Sequence, residues 1–254
     1  MKSTRATMSR GTLLAAAALS VLASGWIRAQ QPAAATAPSA AESGVLITNV
    51  RVFTGAAALS PPSNVLVVGN RIRAVSTGPV ASEGVGEPTR IDGGGRTLMP
   101  GLIDAHWHTM LVRPTPAQLL TGDAGYMNLQ AGAEATATLM RGFTTVRDMG
   151  GPSFDLKRAI DGGLLPGPRI YPSGAMITIT GGHGDFRALT ELPRTGSGHS
   201  HMEQLGGALV ADSPDEVRRR AREELTRGAS QIKLTAGGGV ASPHSPLDVS
   251  TFTE

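Results

Sequence analysis

Three times in this chain a helix-like stretch ends near a glycine and passes into a short β run. "MNLQAGAEATATLMRG" leads into "FTTVRD", "SFDLKRAIDGG" into "PRIYPSG", and "SPDEVRRRAREELTRG" into "SQIKLT". Each helix has an apolar stripe to bury and each strand an apolar face. Regular alternation of the two is satisfied by a parallel sheet with helices packed outside it. The third helix is the best delimited. Ser213 and Glu216 have capping-box spacing, Pro214 takes the first helical position, and Gly228 suits the residue after the last turn. Val217, Ala221 and Leu225 form an apolar stripe at i, i+4 and i+8. The arginine run reads as a solvated face, with Arg219–Glu223 and Arg220–Glu224 paired along the helix, rather than as a nucleic-acid patch. With "LIDAHWH" as the opening strand, four parallel β units are expected in residues 101–254.

Residues 45–100 read differently. "VLITNVRVFTGA" alternates β-branched and polar residues, and "SNVLVVGNRIRAVST" has the form of a hairpin turning at Gly69-Asn70. A small antiparallel β unit is expected there. Ahead of it, Lys2, Arg5 and Arg10 precede the apolar run "GTLLAAAALSVLASG", the layout of a secretory signal. Residues 1–29 are read as that signal, cleaved after Gly25 or Ala29, and 30–44 as a flexible linker. A membrane anchor is the alternative, which the shortness of the run disfavours. The expected location is exported, periplasmic or secreted, with no membrane association after cleavage. The formal net charge of +3 becomes −1 once the four basic and no acidic groups of residues 1–29 are gone. With no aromatic-studded basic patch either, a nucleic-acid partner is not expected. The chain has no cysteine, so disulfides and thiolate metal sites are excluded.

In parallel sheets chemistry collects beyond the C-terminal strand ends. The unusual residues fall there: His106 and His108 after the first strand, Asp148 and "RDMGG" after the second, "TGGHGD" with His183 and Asp185 after the third, Lys233 and "TAGGG" on the fourth. Residues i and i+2 of a strand face the same side, so both imidazoles of "HWH" can reach one metal ion. Two histidines on a half-exposed face is the bland alternative. "GLIDA" reads as a buried strand aimed at the rim. A second pair, His199 and His201, lies in "RTGSGHSHM" and reads as a solvated loop. Lys233, between Ile232 and Leu234, is either a strand-edge lysine reaching solvent or a desolvated amine. A desolvated amine can add carbon dioxide to form a carbamate. Gly93–Gly95 lack the lysine and hydroxyl residue of a phosphate loop, and Gly237–Gly239 read as close packing at a crowded rim.

"MPGLIDAHWH", "GFTTVRDMGG", "GPRIYPSG", "TGGHGD" and "IKLTAGGG", in that order, resemble the amidohydrolase superfamily, in particular its imidazolonepropionase-like and prolidase-like members. The resemblance covers residues 45 to 254. It implies an α/β fold: a partial (β/α)8 TIM barrel of about four units, preceded by a small β-sandwich. It implies His106 and His108 as metal ligands and Lys233 as the carboxylated lysine that bridges two divalent metals, read as zinc. His183 is matched to a substrate-side histidine. A metal-activated hydroxide would attack a small-molecule amide or dipeptide-like C–N bond. A full barrel takes about 250 residues, and the family's later histidines and its acid/base aspartate have no counterpart in residues 109–254. Thr251 and Glu254 have helix-start spacing with nothing after them. The expectation is therefore the first half of a longer enzyme, itself inactive in amide hydrolysis. The alternatives are an inactive remnant, or a mononuclear parent acting on cyclic amides or as a deaminase. Self-association of the parent is left open.

Overall fold

The computed structural model describes residues 43–56, 58–193, 198–248 and 250–252. The signal, most of the linker, and the Glu254 end of the proposed helix start lie outside the described residues.

The first region is one mixed five-stranded sheet. β1 (Gly44–Val52), β2 (Pro62–Val68) and β3 (Arg71–Ser76) pair antiparallel in sequence, turning at Gly69-Asn70 as the sequence predicts. β4 (Thr89–Asp92) and β5 (Thr97–Leu98) then lie parallel to β1, so the expectation of a purely antiparallel unit is corrected. The cause is local. Asn49 sits at φ 53° in a bulge that shifts the β1 register between Ile47 and Val50. The chain returning through Gly93–Gly95 donates its amides to the Thr48 and Asn49 carbonyls. Those glycines thus make a backbone turn against β1. Leu46, Leu66 and Val68 form the small core of this sheet.

The second region carries the alternation. β6 (Leu102–Trp107), β7 (Phe143–Asp148) and β8 (Arg169–Pro172) form a parallel sheet in that order. α1 (Pro116–Thr121) and α2 (Ala124–Met140) connect β6 to β7, and α3 (Phe154–Asp161) connects β7 to β8. Val146, Ile170, Ala131, Ala135, Leu156 and Met110 form the core between sheet and helices, with Trp107 packed against it. Only that face is covered among the described residues. Ile103 is 70% exposed on β6, which corrects the reading of "GLIDA" as a buried strand: β6 is the sheet's edge.

The third unit is broken. β8 ends at Pro172, Gly174 takes φ 72°, and the chain resumes as β9 (Met176–Thr178) with new partners. β9 pairs parallel with β10 (Ala208–Val210), a strand the sequence does not announce. Its other edge meets the Lys233 segment. Ile177 donates its amide to the Lys233 carbonyl and Thr235 to that of Ile177, a single bridge at Leu234 where a full strand is expected.

α5 (Pro214–Arg227) follows the third predicted helix closely. The Ser213 side chain accepts from the Glu216 amide, Pro214 opens the helix, and Gly228 closes it at φ 103°. The box is only half formed, because the Glu216 carboxylate accepts from the Asp212 amide instead. The arginines pair within the helix, but at i+3: Arg218–Asp215, Arg219–Glu216 and Arg220–Glu223. The expected stripe is rotated. Leu225 is 53% exposed and Glu224 is buried, since its carboxylate reaches the strand break beside Gly174. α4 (His201–Leu205) corrects the reading of the second histidine pair as a loop. Ser200 caps it with a complete capping box, Met202 is buried, and the His199 ring approaches Glu203 at 3.9 Å.

Candidate functional site

The site is built by four segment ends. β6 brings His106 and, just past its end, His108. Their ring centroids lie 5.4 Å apart, while Trp107 turns the other way into the core. The bridge at Leu234 brings Lys233, whose Nζ stands 3.5 Å from His106 Nε2, across 127 residues of sequence. The loop after β9 brings His183, which interacts electrostatically with both Lys233 and His108. All four residues singled out in the sequence thus fall in one cluster.

Electrostatics push each of these groups toward its neutral form. Burial, then the charges of Lys233 and Arg147, lower the pKa of His106. Burial lowers His108 too, reinforced by His106, Lys233 and His183 and opposed by the Gly150 carbonyl. Burial and Lys233 lower His183, and burial lowers Lys233. A metal takes neutral imidazoles, so the lowered histidines have the lone pairs that ligation needs. His108 Nδ1 lies 3.4 Å from the Gly150 carbonyl, the kind of contact that leaves Nε2 free as the ligating atom. No group of three His, Asp or Glu side chains among the described residues is arranged to hold a metal. What the cluster offers a metal is the pair of neutral imidazoles of His106 and His108, with the Lys233 amine beside His106.

Asp148 stands out in the sequence only as a polar strand tip. Here it is fully buried and organises the ground beneath His108. Its carboxylate accepts from the Thr109 amide at 2.8 Å, the Thr109 hydroxyl and the Gly150 amide at 3.2 Å. It therefore grips the residue after His108 and the residue whose carbonyl faces the His108 ring. Burial pushes its pKa up to about 7, against the lowering effect of the Thr109 and Gly150 amides. Asp185 and Arg187 brace the His183 loop. Arg187 donates to both Asp185 oxygens at 2.7 and 2.6 Å, and Asp185 accepts from the Gly181 amide. Burial alone would raise Asp185, but those donors outweigh it and hold its carboxyl below the usual range.

In the glycine cluster 237–239 the close packing expected from the sequence is found at Gly238 and Gly239, while Gly237 faces open space. A β-carbon on Gly238 would overlap the Pro246 carbonyl, and one on Gly239 would overlap the His183 ring. Ser242, for which no sequence signal exists, places its Oγ 2.9 Å from His183 Nδ1 and accepts from the Gly184 amide at 2.9 Å. A cavity of about 620 Å³ beside α5 is lined by Ile179, Val217, Leu234 and Phe252 and by none of the clustered residues, so it is separate from this site.

The second region is thus a parallel β/α sheet with histidines and a lysine gathered at its strand ends. This chain belongs to the amidohydrolase family, whose model matches residues 97–251. The ochratoxinase of Aspergillus niger is 34% identical over 165 residues, 57% of this chain and 32% of that protein. The crystal structure of an amidohydrolase superposes with a TM-score of 0.71 at 37% identity, over 83% of this chain and 51% of the other. A prolidase complexed with N-methylphosphonate-L-proline gives 0.69 at 34% identity, over 83% and 50%. The chain thus spans about half the length of these structures and a third of the curated relative. The fold neighbours are TIM-barrel-like α/β proteins, in keeping with the parallel units described above.

Proposed function

We propose that this chain supplies the first part of the active face of an exported amidohydrolase that cleaves amide or dipeptide-like C–N bonds in small molecules. In that reading His106 and His108 hold a divalent metal, zinc in the first instance. Lys233, carboxylated, would add its carbamate oxygens to the groups that hold such metals, and His183 would face the substrate. The four β units would be part of a (β/α)8 barrel, and the first sheet one layer of a β-sandwich. Residues 1–29 would direct export. The acid/base residue is not assigned within this chain, and the isolated chain is expected to be inactive.

The observation that carries the proposal is the approach of Lys233 Nζ to His106 Nε2 across 127 residues. Two cations would repel there, whereas a carbamate beside metal-bound histidines would be held by charge. Burial favours the neutral amine that carboxylation needs. In that step the Nζ lone pair forms a bond to the carbon of carbon dioxide. One C=O π pair moves onto oxygen, and a proton leaves Nζ for solvent. A divalent metal, when bound, would supply acidity to water, lowering its pKa to ~7. The chain's own groups provide the rest: His108 is oriented through Gly150, and Asp148 fixes that orientation. The prolidase and ochratoxinase relatives support the substrate class.

The test uses the full chain with zinc and ¹³C-labelled bicarbonate. A lysine carbamate resonance that disappears in Lys233→Ala, with weaker zinc binding in that variant, is expected. Unchanged zinc binding in Lys233→Ala and no carbamate signal in the wild type would refute the bridging role. A mononuclear centre on His106 and His108 would then be the surviving form.

A further inference from the structure

His183 has two ring nitrogens, and only one of them is engaged by the protein among the described residues. Nδ1 faces Ser242 Oγ at 2.9 Å. The same oxygen already accepts the Gly184 amide proton, also at 2.9 Å. A serine hydroxyl has one proton to donate. If that proton goes to Nδ1, the hydroxyl is satisfied both as donor and as acceptor. If instead Nδ1 were protonated, the two lone pairs of the oxygen could take both donors, but the hydroxyl proton would be left without a described acceptor. Buried Ser242 gains most from the first arrangement, because unpaired buried polar groups are costly. Burial of the His183 ring opposes its protonation. A neutral ring with Nδ1 accepting carries its proton on Nε2.

We infer that Ser242 is a positioning residue that locks His183 as the Nε2–H tautomer and so makes it a hydrogen-bond donor for a ligand oxygen. The inference rests on the placement of His183 in the proposed substrate-side cluster. The lock is mechanical as well as chemical. Gly239 approaches the His183 ring so closely that a β-carbon would overlap it, and the Ser242 amide donates to the Gly239 carbonyl at 3.1 Å. The Gly239–Ser242 turn thus holds the ring plane with one residue and its proton with another. A donor at Nε2 suits a carbonyl or carboxylate oxygen. It does not suit metal ligation through Nε2, which sets His183 apart from His106 and His108.

The test is a long-range ¹H–¹⁵N correlation spectrum of the full chain labelled at histidine nitrogens, with His183 assigned from a His183→Gln variant. In the wild type, His183 Nε2 is expected at the protonated position and Nδ1 at the unprotonated one. Ser242→Ala should lower the Nε2–H to Nδ1–H ratio about three- to tenfold, the worth of one net hydrogen bond. Ser242→Thr should restore it. A protonated Nδ1 in the wild type, or a ratio unchanged in Ser242→Ala, overturns the inference. Should Ser242→Ala fail to fold by circular dichroism, the wild-type and Ser242→Thr spectra decide alone. Added zinc should shift His106 and His108 while the His183 Nε2–H persists; replacement of that proton by zinc also overturns the inference. Zinc-insensitive His106 and His108 with the Ser242 dependence intact would count against the metal reading only, and the lock would stand.

Discussion

The two regions of this chain solve the problem of charge in opposite ways. In the first sheet, residues 44–98, every ionisable side chain described is on or near the surface, and the core is Leu46, Leu66 and Val68. In the second region five charged side chains are buried: Asp148, Asp185, Arg187, Glu203 and Glu224. Burying charge is costly unless it is paired or hydrogen-bonded. The first region avoids that cost. The second accepts it wherever a carboxylate can hold an irregular piece of backbone: Asp148 beneath His108, Asp185 in the His183 loop, Glu224 at the β8/β9 break. Precision at the strand ends is maintained by buried charge rather than by regular pairing.

Mutations should separate the regions by size of effect. Asp148→Leu strands the Thr109 and Gly150 amides in a dry site and is expected to cost about 3–5 kcal/mol in denaturant unfolding. Asp92→Leu, on an exposed turn of the first sheet, should cost under ~1 kcal/mol. Equal losses would erase the contrast. Ile170→Ala, in the core between sheet and helices, is expected to cost about 2–4 kcal/mol. Ile72→Ala, 68% exposed on β3, should stay within ~0.5 kcal/mol.

A pH series sharpens the same point. The Asp148 pKa is raised from 3.8 to about 7 in the folded state. The folded protein therefore binds more protons than the unfolded chain between those values. The stabilisation is complete below 3.8 and is lost as pH rises through 7, with a slope approaching ~1.4 kcal/mol per pH unit. Asp148→Asn, neutral throughout, should lack this slope. Parallel stability curves for the two proteins from pH 4 to 8 would contradict the assignment. A modest effect is expected at a helix start. Ser213→Ala removes the hydroxyl that accepts the Glu216 amide and should lower thermal stability by about 1 kcal/mol.

Much of this architecture is legible in the sequence, and the reasons are local. Periodicity and glycine punctuation announce β6, α2, β7, α3, β8 and α5 because each element has enough residues to display its own pattern. β10 does not announce itself, since three residues carry no period. The break at Gly174 falls where the β run "PRIYPSG" ends, and β9, only Met176–Thr178, is too short to show a pattern of its own. The rotation of α5 is invisible because Glu224 is placed by a distant backbone, whereas Leu225 merely fits the helical count. The His106, His108, His183 and Lys233 cluster is legible because each lies at a strand end, where the fold class concentrates side chains. Ser242 and the grip of Asp148 depend on loop geometry that no spacing encodes.

The broken third unit also orders events in time. β6, β7 and β8 pair through connections that are short in sequence, so they can assemble early. β9 finds its second partner only when residues 233–235 arrive, and loop closure over longer stretches comes later in folding. His106 and Lys233, 127 residues apart, are therefore expected to meet late in the folding of this chain. A nascent chain emerging from the ribosome would expose its histidine pair well before the lysine that faces it had been synthesised.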